Sequence, residues 1–274
     1  MNNWLRDSIS EVINQRLNDD ARTTSTTYLG WPRNRIFRDV IGSGQADFDT
    51  GVGHLTPDDR ALLYAKYNQI RHLDELSHAF RRLLGQSEKI HRPTLIDVGC
   101  GPFTAGLSFA ECFGTQGAFR YFGVDRAQSM LRLGYSLAQE AMARDAMHSQ
   151  TTLSFEQNLG DLDFGYARGE WTIVVASYLL ASPTVDASEL VREIVDALQR
   201  VGPGPVAVLY TNSAHEYADA KYPQFRDSFV EAGFTVEADE VEWFTDTSKE
   251  PKRLHYALLC RPEQTTIAVP GVLR

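Results

Sequence analysis

The sequence predicts an α/β protein: a mostly parallel seven-stranded sheet with helices on both faces, preceded by a helical extension. Three observations carry this prediction. From Thr94 onward, short apolar runs of strand length alternate with amphipathic helical stretches, and such alternation builds a parallel sheet. The first of these runs, Thr94-Leu-Ile-Asp-Val98, passes straight into Gly99-Cys-Gly101 and then a helix, the punctuation of a strand-to-helix crossover. The last two strands have only a polar turn between them, Thr245–Lys252, and so form a hairpin.

The elements follow in order. Residues 4–18 place Leu5, Ile9, Val12, Ile13 and Leu17 on one side of a helix. Residues 20–55 lack a sustained period and hold five glycines, as expected of a functional loop that orders when ligands bind. The next helix is well punctuated: Thr56 as N-cap, Pro57 in the first turn, Asp59 three residues after the cap and Gly85 beyond the end. Its apolar face carries Leu63, Tyr67, Ile70, Leu73, Phe80 and Leu84. Strands are expected at 94–98, 119–124, 152–156, 171–177, 205–211, 234–244 and 253–261. Helices are expected at 104–113, 127–146, 187–201 and 223–232. Asp186 with Glu189 marks the start of the third of these helices, and Gly202 its end. The chain therefore divides into an extension, 1–93, and an α/β domain, 94–274.

Composition sets the outer limits. The 43% hydrophobic and 23% charged content is that of a globular protein, and no apolar run approaches the ~20 residues that cross a bilayer. The first residues, MNNWLRDSIS, have neither the basic nor the apolar region of a secretory signal. Three cysteines without C-x-x-C spacing argue against a disulfide framework or a zinc site and fit a reducing cytoplasm. The net charge of −9 is unevenly divided: residues 1–93 hold 13 basic against 12 acidic residues, and 94–274 hold 14 against 24. An acidic domain disfavours a nucleic-acid partner, although Arg33, Arg35 and Arg38 form a local basic cluster.

The chemistry concentrates at strand ends. Gly99 and Gly101 let a ligand approach the main chain closely, and Asp97 offers a carboxylate to a cationic amino group. The second strand ends at Asp125, 24 positions beyond Gly101, where a carboxylate accepts both hydroxyls of a ribose. With these residues the chain resembles the class I S-adenosylmethionine-dependent methyltransferases: Asp97-x-Gly99-x-Gly101 is similar to their first motif and Asp125 to the acidic end of their second strand. A nicotinamide dinucleotide site would prefer G-x-G-x-x-G, which requires glycine where the chain has Thr104.

The resemblance covers roughly residues 90–261. It implies a Rossmann-like sheet with the last strand inserted antiparallel. It also implies S-adenosylmethionine as cofactor, bound by Asp97, Gly99, Cys100, Gly101, Asp125, Arg126, Asp161, Leu162 and Ser177. Asp161 would meet the adenine amine, with Asn158 second to it. One departure stands out, because the family often has a third glycine where this chain has Phe103, which would narrow the methionine end of the site. The fourth strand and its exit, Val174–Leu180, have neither the N-P-P-[YFW] sequence of base-amine methylation nor a Pro-Cys nucleophile. That stretch also resembles ribosome-assembly methyltransferase-like proteins, but their metal-binding cysteine cluster is missing, so no metal is expected.

Methyl transfer needs alignment of the acceptor and, for an O–H or N–H group, removal of a proton. His215, in the polar loop after the fifth strand, is the histidine expected beside the crevice, and Tyr178 lines the acceptor side. The extension offers Tyr28, Trp31, Tyr64 and Tyr67, with Phe37 and His54, as an aromatic cover for a flat acceptor. The sequence thus predicts a methyltransferase acting on O or N of a small-molecule acceptor. The alternatives are an RNA or protein methyltransferase and a non-catalytic nucleoside-binding protein of the same fold.

Overall fold

The computed structural model describes residues 1–86, 90–165 and 170–264. The chain begins with a helical rod: α1 (Asn3–Ile9), a π-helical turn at Ser10–Gln15 and α2 (Arg16–Asp19). The π turn has a reason in the sequence. Leu5, Ile9, Ile13 and Leu17 recur every fourth residue and are all buried. In an α-helix such a row drifts by about 40° per step, and a wider turn brings it back onto one face.

The aperiodic segment that follows is more structured than its sequence implies. It forms a short hairpin, β1 (Thr27–Tyr28) with β2 (Trp31–Pro32), and a helix, α3 (Arg33–Asp39). The rest is held by the buried guanidinium of Arg60, which donates to the carbonyls of Val40, Asp47 and Thr50. One side chain thus supplies donors that a loop of irregular backbone cannot find in itself.

Arg60 sits in α4 (Pro57–Gln86), which is capped at its start as the sequence predicts but runs through Gly85 instead of ending before it. The Thr56 hydroxyl accepts from the Asp59 amide, and the Asp59 carboxylate accepts from the Thr56 amide. The buried face differs in part from the expected one. Leu62, Leu76 and Leu83 are buried beside Leu63, Leu73 and Phe80, whereas Tyr67, Ile70 and Leu84 are only half-buried.

The sheet is built from β3 (Thr94–Val98), β4 (Arg120–Val124), β5 (Thr152–Glu156), β6 (Thr172–Ser177), β7 (Val206–Ser213), β8 (Thr235–Phe244) and β9 (Lys252–Arg261). Between them run α5 (Thr104–Phe113), α6 (Gln128–Ala143), α7 (Ala187–Val201), the short α8 (Glu216–Asp219) and α9 (Tyr222–Glu231). The strand order is β5-β4-β3-β6-β7-β9-β8, with the first five strands parallel and β9 antiparallel to both neighbours. This is the expected mostly parallel seven-stranded sheet, and its last strand is inserted as the resemblance implies. Helices α4, α5 and α6 pack on one face, and α7 with α9 on the other. Strands β3 and β7 are covered on both faces, so every residue of them but Ser213 is buried. The exposed edge strand β8 instead carries Glu237, Asp239, Glu240 and Glu242, charges that discourage pairing with another sheet.

The order reverses at β3. The chain moves outward to β4 and β5, then returns to lay β6 on the other flank of β3. Connections that leave in opposite directions part at the carboxyl ends of β3 and β6, and a crevice opens there.

The terminal hairpin is tied to α8 by one histidine. His255 Nδ1 lies 2.7 Å from Asp219 and Nε2 2.8 Å from Asp239, so both ring nitrogens meet acceptors and the ring is an imidazolium. Burial alone would push this histidine down, but the two carboxylates outweigh it and hold it above its ordinary 6.5. The stability it adds is complete below pH 6.5 and is lost as pH rises through the raised folded value. His255→Gln should therefore cost about 2 kcal/mol, less than a fully buried pair because both carboxylates are partly exposed. In thermal denaturation the deficit should be largest at pH 6 and shrink toward pH 9; a deficit that does not change with pH would contradict an imidazolium.

Candidate cofactor site

The exit of β3 is a main-chain hook. Gly99 and Cys100 both donate their amides to the carbonyl of Val124, at 2.8 and 2.9 Å, which stitches this loop to the exit of β4. Gly99 and Gly101 have φ of +72° and +51°, values that suit glycine. A Cβ at Gly99 would come within 2.8 Å of Leu179, so the turn after β6 rests directly on the loop. At Gly101 a Cβ would meet nothing within 4 Å, which leaves its backbone open.

Asp125 locks this arrangement. One carboxylate oxygen accepts from the Gly101 amide at 3.0 Å and the other from Ala127 at 2.9 Å. Burial raises its pKa, while these amides and Arg126 oppose the shift. Asp97 lies beneath the loop rather than at its surface: it is 2% exposed and accepts a hydrogen bond of 2.6 Å from the Tyr121 hydroxyl. Burial pushes its carboxyl up to about 7. The thiol of Cys100 is buried too and held well above its ordinary value, so it is a space-filling group and not a nucleophile.

Phe103 resolves differently from the expectation that it narrows the site. Its φ is +64°, yet its ring is fully buried and packs edge-on to Tyr121 at 4.7 Å, away from the crevice. A Cβ at Gly106 would fall 1.9 Å from that ring, so Gly106 makes the room that Phe103 takes.

The other predicted residues are spread more widely. Ser177 ends β6 and accepts from the Thr211 hydroxyl. Arg126 is exposed and reaches Thr184. Asp161 accepts from Asn158 and lines an open groove of ≈ 510 Å³ between α6 and β5, with Leu131, Tyr135 and Phe155. Leu162 is packed into the core on the α7 side. His215 is exposed at the N-cap of α8, where its Nδ1 accepts from the Tyr217 amide.

Of the aromatic cover, Tyr64 is the member brought to Tyr178, through a histidine between them. Tyr28, Trp31 and Tyr67 pack within the extension: Arg33 lies 4.0 Å over Tyr28, Tyr67 donates to the Arg33 carbonyl, and Trp31 packs beside His54. Arg35 and Arg38 both pair with Asp39, so one carboxylate offsets part of the charge of the basic cluster.

The histidine beside the crevice is His72, not His215 alone as the sequence suggested. Its ring stacks on Tyr178 at 4.1 Å and faces Tyr64 at 6.4 Å, and burial pushes its pKa down to about 3, so it is neutral. Tyr64, Asn68, His72 and Glu75 form one stripe of α4, spaced by four, four and three residues. That run of polar and aromatic residues at helical spacing is the signal by which the sequence could have disclosed it. The extension also reaches the base of α6, where Asp49 accepts from the Gln128 amide and Phe48 from the Ser129 hydroxyl.

No family model and no curated protein matches this chain. Solved structures of similar chain path include magnesium protoporphyrin IX methyltransferase from Synechocystis PCC 6803 with bound S-adenosylmethionine. It is 15% identical with a TM-score of 0.49, covering 83% of this chain and 95% of that one. Another is a S-adenosylmethionine-dependent methyltransferase from Methanosarcina mazei, at 12% identity and TM-score 0.44, covering 66% of this chain and 98% of that one. A third is precorrin-6y C5,15-methyltransferase from Geobacter metallireducens GS-15, at 13% identity and TM-score 0.41, covering 67% and 86%.

The buried Asp97 makes a testable cost. Its folded pKa of about 7 lies above the ordinary 3.8, so folding favours the protonated form and loses stability as pH rises from 4 to 7. Asp97→Asn keeps an acceptor for Tyr121 without the charge. It should raise stability by ~2 kcal/mol at pH 8 and by nothing at pH 3 in thermal denaturation.

Proposed function

We propose that this protein is a S-adenosylmethionine-dependent methyltransferase acting on O or N of a small-molecule acceptor, working in the reducing cytoplasm with its three thiols free. The observation that carries the reading is the hook of Gly99–Gly101 held by Asp125 at the reversal of the strand order. Asp125 keeps lone pairs for two ribose hydroxyls while its amide bonds fix its position. The open face of Gly101 receives the chain that joins ribose to methionine.

Residues of α4 fit the amino-acid end. Gln69 is fully buried, donates to the Pro102 carbonyl in the glycine loop and has an unpartnered Oε1. The preceding residue, Asn68, on the adjoining face of the helix, has an unpartnered Nδ2. A buried acceptor and a buried donor without partners are costly unless a ligand with both charges completes them. When bound, S-adenosylmethionine supplies a methyl group on a sulfonium, already activated for displacement. The chain's task is then to align the acceptor with that carbon and to take its proton.

The acidic α/β domain and the internally paired Arg35 and Arg38 favour a small acceptor over RNA. Phe103, the departure that spoke for a non-catalytic role, is buried against Tyr121, and this supports the catalytic reading.

Asp125→Ala removes two charge-assisted hydrogen bonds to ribose, each worth ~1.5–3 kcal/mol, and should weaken S-adenosylmethionine binding at least tenfold by calorimetry. Unchanged affinity would refute the ribose assignment, and tight binding of NAD to the wild type would refute the cofactor.

A further inference from the structure

Glu75 is the carboxyl group of the α4 stripe, and its burial is not explained by the fold. It is 1% exposed, yet its Oε2 has no hydrogen-bond partner among the described residues. A carboxylate left so is costly, and packing alone would have been served by leucine or methionine at that place. Its neighbour is the hydroxyl of Tyr178, on the turn that leaves β6 and rests on the glycine loop through Leu179. Tyr178 itself has a left-handed backbone, φ +57°, and its ring is fixed by stacking on His72 at 4.1 Å. The β6 exit and α4 thus converge on one hydroxyl, with a buried carboxyl group behind it.

Resting on the methyltransferase reading, we infer that Glu75 acts through the Tyr178 hydroxyl as the proton-accepting group on the acceptor side of the crevice, and that the acceptor therefore carries an ionisable O–H or N–H. The step balances. The acceptor's lone pair forms the bond to the methyl carbon, and the carbon–sulfur bond breaks with its electron pair going to sulfur. The acceptor's proton passes to the Tyr178 oxygen as the Tyr178 proton passes to Glu75. A sulfonium and a carboxylate become a neutral thioether and a neutral carboxylic acid, so the buried charge pair is discharged as the product forms.

The surroundings suit a group that must ionise and then take a proton near neutrality. Burial pushes Glu75 up to about 7, against the pull of the Tyr178 hydroxyl and of the cations Arg71 and Lys252, with Asp74 adding to the rise. His72, neutral, is a wall and not a competing base. Glu75 is a positioning and relay residue, and Tyr178 is the group that touches the acceptor.

The test needs no acceptor. Sinefungin differs from S-adenosylhomocysteine in bearing a primary amine, cationic at neutral pH, where the methyl group is transferred. An anionic Glu75 behind Tyr178 should favour it, so the affinity ratio of sinefungin to S-adenosylhomocysteine by calorimetry reports that charge. The ratio is expected to rise about tenfold between pH 6 and pH 8 in the wild type, and to be low and flat in Glu75→Gln. The shared adenosine and amino-acid ends cancel in the ratio, including any effect of Asp97. If both ligands bind but the ratio ignores both pH and Glu75→Gln, the inference is overturned while the proposed function stands. If neither ligand binds the wild type, the reading on which it rests falls with it. Should Glu75→Gln not fold, the wild-type pH series decides alone.

Discussion

Everything at the crevice depends on the hydrogen bonds that tie the exit of β3 to the exit of β4. Two amides of the glycine loop end on the Val124 carbonyl, and a third, from Gly101, ends on Asp125. These bonds turn an irregular loop into a rigid edge. They also couple the two halves of the site: Asp125 cannot move without releasing the loop. Because the strand order reverses at β3, nothing covers this edge from within the sheet, and the covering has to come from elsewhere in the chain.

It comes from the extension, and chiefly from α4. This helix braces the sheet along the terminal hairpin, where Arg82 pairs with Glu240 and Asp74 accepts from Thr247. Its middle touches the glycine loop through Gln69. The same helix therefore fixes the β9 side of the sheet and supplies the wall opposite β6. Its first turns organise residues 40–50 through Arg60, and that segment in turn reaches α6. A stretch with few regular hydrogen bonds of its own is held in place by long side chains that supply the missing donors.

Three of the buried polar groups that this packing leaves incomplete lie on α4. Other buried polar side chains find partners over long separations, as His255 does with Asp219 and Asp239. On the stripe, Asn68 and Glu75 do not, and neither does the free end of Gln69. Buried polar groups without partners are expensive, and those of α4 beside the glycine loop are ones that a ligand would complete.

Local signals in the sequence determined most of the fold. The reciprocal cap of Thr56 with Asp59 and the one-way cap of Asp186 on the Glu189 amide act within three residues, so the helix starts could be read directly. Alternation of apolar runs set the strands to within two residues, and the missing helix between the last two made their hairpin unavoidable. The glycine loop and Asp125 were legible because their spacing is itself the constraint on a strand-to-helix turn. What only the tertiary structure decided is which face meets which. Periodicity says that α4 has a buried stripe but not that a second, polar stripe faces the crevice, since both repeat with the same 3.6-residue turn. Nor can a sequence show that Phe103 turns inward, because that depends on the absence of a side chain at Gly106 across the same helix turn. The partners of His255, 36 and 16 residues away, meet it only once β8, β9 and α8 are assembled. Contacts between distant segments are set by packing, and packing is not written in spacing along the chain.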